Sequence, residues 1–264
     1  MTDASASLSI VNLYPNELGI NGDVGNVTAL VARAQWRGIA VTVHNHHVGA
    51  ELPEQIDLLH IGSGPLSGQR AVHGDALHNA AALRDAVGAG VPLLAIAGGW
   101  QLLGRELTAP DGERMPGAGV FPSRAVLSSR RTVGEILVRT EGGVLAGFEN
   151  HAALTSLEDG AAPLGSVIAG GGNTAQAPLE HRVEGIRVGS AIGTQLHGPI
   201  LPMNPSLADE LLSAALLRRG EGAVWSDALS RPSDAVREVD EYAAAARAAI
   251  AGRLRARLTD TQPR

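Results

Sequence analysis

The sequence of 264 residues contains no cysteine, and arginine supplies all 21 of its basic residues. Without cysteine the chain forms no disulfide and no thiolate metal site. No apolar run approaches the ~20 residues that a membrane-spanning helix needs, and the first residues lack the basic-then-apolar order of a signal peptide. The net charge of −6 gives no electrostatic reason for nucleic-acid binding. We therefore expect a cytoplasmic protein with no nucleic-acid partner, no membrane insertion, no metal and no cofactor.

Alternating strands and helices account for most of the chain. Apolar segments at 8–13, 39–43, 56–61 and 91–96 predict strands, and a helix over 27–37 joins the first two. A further helix is expected over 75–87, and two further strands over 120–127 and 133–139. This strand, helix, strand order implies a right-handed parallel crossover. The sequence therefore predicts an α/β fold with a mostly parallel sheet flanked by helices.

The hydrophobic content of 44% is enough for one sizeable core. We expect a polar tail over residues 1–7, a main domain over 8–222 and a helical C-terminal extension over 223–264. Within that extension, residues 231–258 are rich in alanine and arginine and have one apolar face. The composition leaves open whether this face packs on the body of the protein or on a partner.

The stretch over residues 91–104 reads as a buried strand, a forced turn and the start of a helix. Gly98 and Gly99 allow a backbone with positive φ and let N–H groups come close to a ligand. This arrangement is typical of a nucleophile elbow, which presents the residue before the glycines beside free N–H groups. That residue is Ala97, whose methyl group can neither attack a carbonyl nor transfer a proton.

Two further segments follow predicted strands. Gly62, Ser63 and Gly64 come after the strand at 56–61, and His197 comes after a strand predicted at 186–192. Ligands of parallel sheets bind beyond the carboxyl ends of the strands, so we expect both segments beside the elbow. A tight turn and a structural histidine are the alternative interpretations.

The histidines after the second strand and the prolines after His197 also allow predictions. His44, His46 and His47 are expected to be solvated loop residues, because no carboxylate is spaced to join them at a metal. The prolines after His197 are expected to prevent a helix from forming at once.

Two motifs carry a family resemblance. Residues 94–104, Leu-Ala-Ile-Ala-Gly-Gly-Trp-Gln-Leu-Leu-Gly, resemble the nucleophile motif of class I glutamine amidotransferases, in which a cysteine stands at the position of Ala97. Residues 193–205, Gly-Thr-Gln-Leu-His-Gly-Pro-Ile-Leu-Pro-Met-Asn-Pro, are similar to that family's histidine motif. Segments 13–15, 22–26 and 147–151 narrow the likeness to the cobyric-acid-synthase-like branch, and within it to glutaminase subunits of lipid II isoglutaminyl synthases. The resemblance covers roughly residues 8–217 and implies a flavodoxin-like fold.

The resemblance also implies roles for individual residues. His197 would be the general base that activates a cysteine and then protonates departing ammonia. The Arg131 guanidinium would pair with the α-carboxylate of L-glutamine. Backbone N–H groups of Gly62, Ser63 and Gly64, which we call the glycine loop, and of the elbow would hold the oxyanion. The residues implied to bind substrate are Gly62, Ser63, Gly64, Gly98, Gln101, Arg131, Asn150 and His151.

The chain departs from the family pattern in three places. Pro65-Leu66 stands where the branch has Gln-Asp, and Ala152 stands where it has glycine. Pro199 occupies the second position after His197, where many amidotransferases carry an acidic residue. The sequence therefore assigns no third catalytic residue.

Two functional hypotheses follow. In the first, the chain is the ammonia-donating glutaminase of a lipid II isoglutaminyl synthase-like complex, inactive because Ala97 is an introduced substitution. The resemblance implies a Mur-ligase-like, ATP-dependent (MurT-like) subunit as its partner in a heterodimer. Because this chain has no Gly-x-x-x-x-Gly-Lys phosphate loop, the ATP chemistry is expected on another chain. In the second, the chain is a natural paralogue without a nucleophile that acts as a binding or scaffold subunit. A glutaminase for another acceptor, such as a corrinoid, is the remaining enzymatic alternative.

Overall fold

The computed structural model describes residues 7–260, with side chains described through Arg255. Residues 1–6 of the expected tail lie outside this range, and Ser7 already begins the first strand. The strands are β1 (Ser7–Leu13), β2 (Ala40–His46), β3 (Leu58–Ile61), β4 (Leu93–Ile96), β5 (Glu106–Thr108), β6 (Arg114–Pro116), β7 (Ser123–Thr140), β8 (Gly143–Leu157), β9 (Gly165–Ala169), β10 (Val183–Glu184), β11 (Ile186–Val188), β12 (Ala191–Thr194) and β13 (Leu196–His197). The helices are α1 (Val24–Gln35), α2 (Leu66–His78), α3 (Ala80–Gly88), α4 (Gly98–Leu103), α5 (Ile200–Met203), α6 (Pro205–Arg218), α7 (Gly222–Ser230) and α8 (Asp234–Asp260).

The first sheet confirms the predicted α/β fold. Its six strands lie in the order β11-β12-β4-β3-β1-β2, and every neighbouring pair except β11 and β12 is parallel. Strands β3 and β4 are buried throughout, which explains their uninterrupted apolar sequence. Ile10 packs with α1 and α6 on one face, while the next residue, Val11, packs with α2 and α3 on the other.

One of the predicted strands is divided into two strands in the structure. The segment expected at 186–192 divides into β11 and β12, which pair antiparallel. Gly189 has φ +56° at the reversal, a backbone conformation that favours glycine. The reversal places β12 in register with the central strand β4, so that both strands end at the same edge.

A second sheet, not foreseen from the sequence, is built on the long hairpin of β7 and β8. These strands pair antiparallel, and β7 also pairs with β5 and β9. The segments expected as separate strands at 120–127 and 133–139 are parts of the single strand β7. Pairing of β13 with β8 joins the histidine segment to this sheet.

Several helix boundaries differ from expectation. Helix α1 begins at Val24, three residues before the predicted start. The helix expected at 75–87 is instead α2 and α3, divided at Asn79, and α2 begins directly after Pro65. The prediction that prolines delay a helix after His197 was wrong, because α5 begins immediately after Pro199. Proline lacks a backbone N–H, which the first helical positions do not need.

The expectation of solvated histidines was wrong for His46. This side chain lies at the end of β2, is buried, and its Nε2 lies 2.9 Å from Asp75 Oδ2. Tyr14 donates its hydroxyl to the same carboxylate. Hydrogen bonds and burial raise the pKa of Tyr14 strongly, burial being the larger cause.

The C-terminal helix packs on the body of the protein. Of the residues expected on its apolar face, Val236, Ala243 and Ile250 are buried, Val239 is half-buried and Ala246 is exposed. Leu254, one turn further on, is also buried. Helix α8 contacts α5, β7 and β8, and so reaches the second sheet.

Candidate active site

The turn between β4 and α4 has the geometry of a nucleophile elbow. Ala97 has φ +40° and ψ −100°, a conformation that is strained for a residue with a Cβ. Its N–H donates to Thr194 O at 2.8 Å, and its carbonyl accepts from Gln101 N at 2.9 Å. A Cβ at Gly99 would lie 2.5 Å from Gly62 O, so the helix start requires glycine there. The backbone therefore keeps the elbow although its side chain is a methyl group.

His197 reaches the same edge from the strand beside β4. It pairs through β13 with Phe148 of β8, and its side chain is only 3% exposed. The imidazole Nδ1 lies 3.3 Å from Asp23 Oδ1. Nε2 is buried and has no hydrogen-bond partner among the described residues. Because a carboxylate only accepts hydrogen bonds, Asp23 selects the tautomer with its proton on Nδ1 and leaves Nε2 as an acceptor.

Asp23 is the functional residue that the sequence did not reveal. It stands at the N-cap position of α1, but its side chain makes no capping hydrogen bond to that helix. The side chain is fully buried, and its Oδ2 accepts the N–H of Ser63 at 2.9 Å. One carboxylate therefore holds both the histidine and the glycine loop. In the same turn, Asn26 Oδ1 accepts the N–H of Leu201 and fixes the start of α5. The segment 22–26 supplied the signal, although helix capping was the simpler interpretation of it.

The glycine loop presents one free N–H group to the site. The Ser63 carbonyl accepts from Ile20 N at 3.2 Å. In a trans peptide the next N–H points the opposite way, so Gly64 N–H points away from Ile20. A Cβ at Gly98 would lie 3.1 Å from Gly64 N, which places this N–H beside the first residue of α4. The Ser63 N–H donates to Asp23 and is therefore not available to a ligand. Gly62 packs closely against the Leu18 carbonyl oxygen.

A bulge in β7 carries Arg131. Leu127 pairs with Ala153 and Thr132 with His151, so residues 128–131 face a single residue of β8. Arg131 Nε donates to Asn150 Oδ1 at 2.8 Å, and Nη2 donates to Asn150 O at 3.2 Å. These two bonds fix the orientation of the guanidinium. They use Nε and Nη2, so the edge that carries Nη1 can bind the carboxylate of a ligand.

These elements enclose one cavity of about 320 Å³. Within it, Gln69 and Gln101 are nine-tenths or more buried, and the Oε1 atom of each has no hydrogen-bond partner among the described residues. Gln69 was not predicted; it follows the glycine loop on α2 and donates to Gly64 O at 3.4 Å. Of the predicted residues, Gly62 is not at the cavity wall. The predicted residues that line it are Ser63, Gly64, Ala97, Gly98, Gln101, Arg131, Asn150, His151 and His197.

The described residues contain no group of three or more histidine or acidic side chains that could hold a metal ion. Over the same range, no helix is long and apolar enough to cross a bilayer. The hydrogen-bonding groups at the site are the N–H groups of Gly64 and Gly98, one oriented imidazole, two buried amides and one arginine.

Comparison with known proteins finds similar sequences over most of the chain. The CobB/CobQ-like glutamine amidotransferase domain matches residues 9–205. The GatD subunit of the glutamine-hydrolysing lipid II isoglutaminyl synthase of Staphylococcus aureus is 35% identical over 216 residues, covering 81% of this chain and 86% of that protein. The Streptococcus pneumoniae GatD subunit is 32% identical, with 80% and 82% covered. A Bacteroides fragilis cobyric acid synthase is 32% identical over 135 residues, or 47% of this chain and 24% of that protein.

Solved structures show the same fold at lower identity. A glutamine amidotransferase crystal structure superposes with a TM-score of 0.54 at 20% identity, covering 78% of this chain and 98% of the other. The PurLQS structure from Thermotoga maritima gives a TM-score of 0.52 at 12% identity, covering 81% and 98%.

Proposed function

Because the chain belongs to the CobB/CobQ-like glutamine amidotransferase family, we propose that it is the glutamine-binding subunit of a lipid II isoglutaminyl synthase-like complex. We propose further that Ala97 prevents it from hydrolysing the glutamine it binds. The observation that carries the proposal is the elbow: Ala97 keeps φ +40° and lines one cavity with His197 and Arg131. Such strain persists only where the surrounding structure maintains it.

The geometry supports a defined reaction for a cysteine at position 97. Its thiolate would attack the side-chain carbonyl carbon of glutamine, and the N–H groups of Gly64 and Gly98 would hold the oxyanion. When the C–N bond breaks, His197 would give its proton to the departing ammonia. Water would then hydrolyse the thioester and release glutamate. The methyl group of Ala97 removes the first step and with it all covalent catalysis.

The partner in this proposal is a Mur-ligase-like, ATP-dependent (MurT-like) subunit. The most similar relatives described above are subunits of a synthase, not complete synthases. The given sequence has no phosphate loop of the Gly-x-x-x-x-Gly-Lys type, and the proposal assigns ATP-dependent activation of the acceptor to the partner subunit. A corrinoid acceptor is less well supported, because the match covers only 24% of the cobyric acid synthase.

Restoring the thiol tests the proposal. We expect Ala97→Cys, purified with its partner, to release glutamate and ammonia from L-glutamine, while the unmodified chain releases neither. We expect L-glutamine to bind to the unmodified chain in calorimetry. The control is Ala97→Cys combined with Asp23→Asn, in which the imidazole loses the carboxylate that orients it; we expect turnover to fall at least 100-fold.

A pure scaffold is the second candidate, favoured by the apolar residues Pro65, Leu66 and Ala152 at the cavity wall. The same experiments separate the two functions. If Ala97→Cys is inactive and L-glutamine does not bind, the glutamine-binding function is rejected and the scaffold function is supported.

A further inference from the structure

The His197 imidazole gives the cavity a hydrogen-bonding atom whose polarity depends on protonation. Nε2 is buried and unpartnered among the described residues, while Nδ1 faces Asp23 Oδ1 at 3.3 Å. In the neutral ring, Asp23 keeps the proton on Nδ1, and Nε2 accepts hydrogen bonds. In the imidazolium, Nε2 carries a proton and donates.

These two states suit two ligands of the same length. A side-chain amide places its oxygen on the N–H groups of Gly64 and Gly98, and its amino group donates to neutral Nε2. A side-chain carboxylate places one oxygen on the same N–H groups, but its second oxygen has no proton to donate. That oxygen is satisfied only if His197 carries the second proton.

Ala97 decides whether the carboxylate can enter. A thiolate at this position would lie beside the ligand carboxylate and repel it. The methyl group of Ala97, which lines the same cavity, carries no charge. Loss of the nucleophile therefore removes the charge that opposes the carboxylate.

We propose that this chain binds L-glutamate in the cavity as an alternative to L-glutamine, and that His197 takes up one proton when L-glutamate binds. L-Glutamine binds the same cavity without proton uptake. This inference rests on the proposed function, because it requires the cavity to accept the glutamine skeleton. The relative occupancy of the cavity by the two amino acids then depends on pH.

The other titratable groups around His197 are fixed by their own contacts. Glu149 of β8, opposite Leu196, accepts the N–H groups of Gly171 and Gly172 at 2.8 and 2.6 Å. Glu184 of β10 accepts from Gln195 N, and burial raises its pKa to about 8.

Two further histidines lie on neighbouring strands. Burial lowers the pKa of His60 on β3 to about 4, so this ring is neutral at pH 7. His151 of β8 lines the cavity, and its Nδ1 lies 3.1 Å from Ala153 O. Arg131 also lies at the cavity wall. The experiment must therefore separate His197 from His151.

Calorimetry on the full chain tests the proposal. L-Glutamate and L-glutamine are titrated at pH 7 and pH 8 in phosphate and in Tris, two buffers with different heats of ionisation. We expect the enthalpy of glutamate binding to depend on the buffer by an amount that corresponds to about one proton at pH 8. We expect glutamate affinity to fall about tenfold per pH unit at alkaline pH. Glutamine binding should depend on neither.

Three variants assign the proton. His197→Asn should abolish the pH dependence of glutamate binding, whereas the exposed control His47→Asn should retain both the affinity and its pH dependence. His151→Asn, at the cavity wall, should change the affinity for both amino acids but keep the pH dependence of glutamate binding. Ala97→Cys should weaken glutamate binding at least tenfold at pH 8. If glutamine binds but glutamate does not, or if glutamate binds without proton uptake, the inference is overturned and the proposed function stands. If neither amino acid binds, the proposed function is rejected, and the inference that rests on it is rejected with it. Proton uptake that persists in His197→Asn also overturns the assignment.

Discussion

At the scale of the residue, Ala97 combines a buried methyl group with a backbone conformation that L-residues avoid. Left-handed or otherwise strained φ, ψ angles cost of order 1–3 kcal/mol at a non-glycine residue. The neighbouring strand and helix hold the angle through the hydrogen bonds of Ala97 to Thr194 and Gln101. The strain belongs to the elbow, and it remains although no nucleophile makes use of it.

Ala97→Gly should therefore affect stability differently from an ordinary buried alanine-to-glycine change. Glycine relieves the positive φ, which offsets the loss of roughly 0.8 kcal/mol from one buried methyl group. The matched control is Ala95→Gly on the adjacent strand, where both the methyl group and strand propensity are lost. We expect the free energy of unfolding in urea to be at least ~1 kcal/mol higher for Ala97→Gly than for Ala95→Gly. Equal losses would show that the elbow stores no strain.

At the scale of the element, the buried carboxyl group of Glu184 joins the strand ends that position His197. Glu184 of β10 accepts from Thr194 Oγ1 at 2.9 Å and from Gln195 N at 2.7 Å, at the junction of β12 and β13. Its other oxygen is buried without a partner among the described residues. Burial is the main reason that its pKa rises to about 8, and the nearby Glu149 charge raises it further.

This shift predicts a pH dependence of stability. The native state keeps a proton on Glu184 that the unfolded chain, with a carboxyl pKa of 4.5, gives up. The unfolded state therefore binds fewer protons, and stability falls as pH rises from about 4.5 to 8, by up to ~1.4 kcal/mol per unit. Glu184→Gln keeps an acceptor oxygen and removes the titration. We expect the variant to gain stability relative to the parent between pH 5 and pH 8 in urea unfolding. A difference that does not change with pH would contradict the shift.

At the scale of the whole molecule, α8 connects helix α1 with the second sheet. Asp240 of α8 pairs with Arg33 of α1 at 2.6 Å, and Arg253 pairs with Glu135 of β7 at 2.6 Å. Arg33 is only 3% exposed and also forms a two-pronged pair with Asp209 of α6. These carboxylates raise the pKa of Arg33, although burial opposes them as the largest single effect. The ion pairs therefore anchor the C-terminal helix to the rest of the chain.

Removal of one carboxylate from this cluster should be costly. Asp209 serves both Arg33 and Arg37, so Asp209→Asn leaves two arginines with Asp240 alone. We expect a loss of about 3 kcal/mol in the free energy of unfolding, because a buried charge loses its partner. The matched control is Asp227→Asn, which breaks an exposed pair with Arg231 and should cost less than ~0.5 kcal/mol. Similar small losses for both variants would show that α8 is not anchored by charge.

The sequence by itself determined the features that arise from neighbouring residues. A buried strand followed by Gly98 and Gly99 specifies the elbow because the turn depends on local backbone angles. The position of His197 beyond a strand follows from the same local logic, together with the common edge of parallel strands.

Only the tertiary structure decided the features that join distant segments. Asp23 meets His197 across 174 positions of sequence, and no local pattern records that contact. The bulge that carries Arg131 exists because β7 and β8 pair out of step between Leu127 and Thr132. Local angles and apolar periodicity are properties of a segment, whereas a hydrogen bond between segments depends on how the whole chain packs.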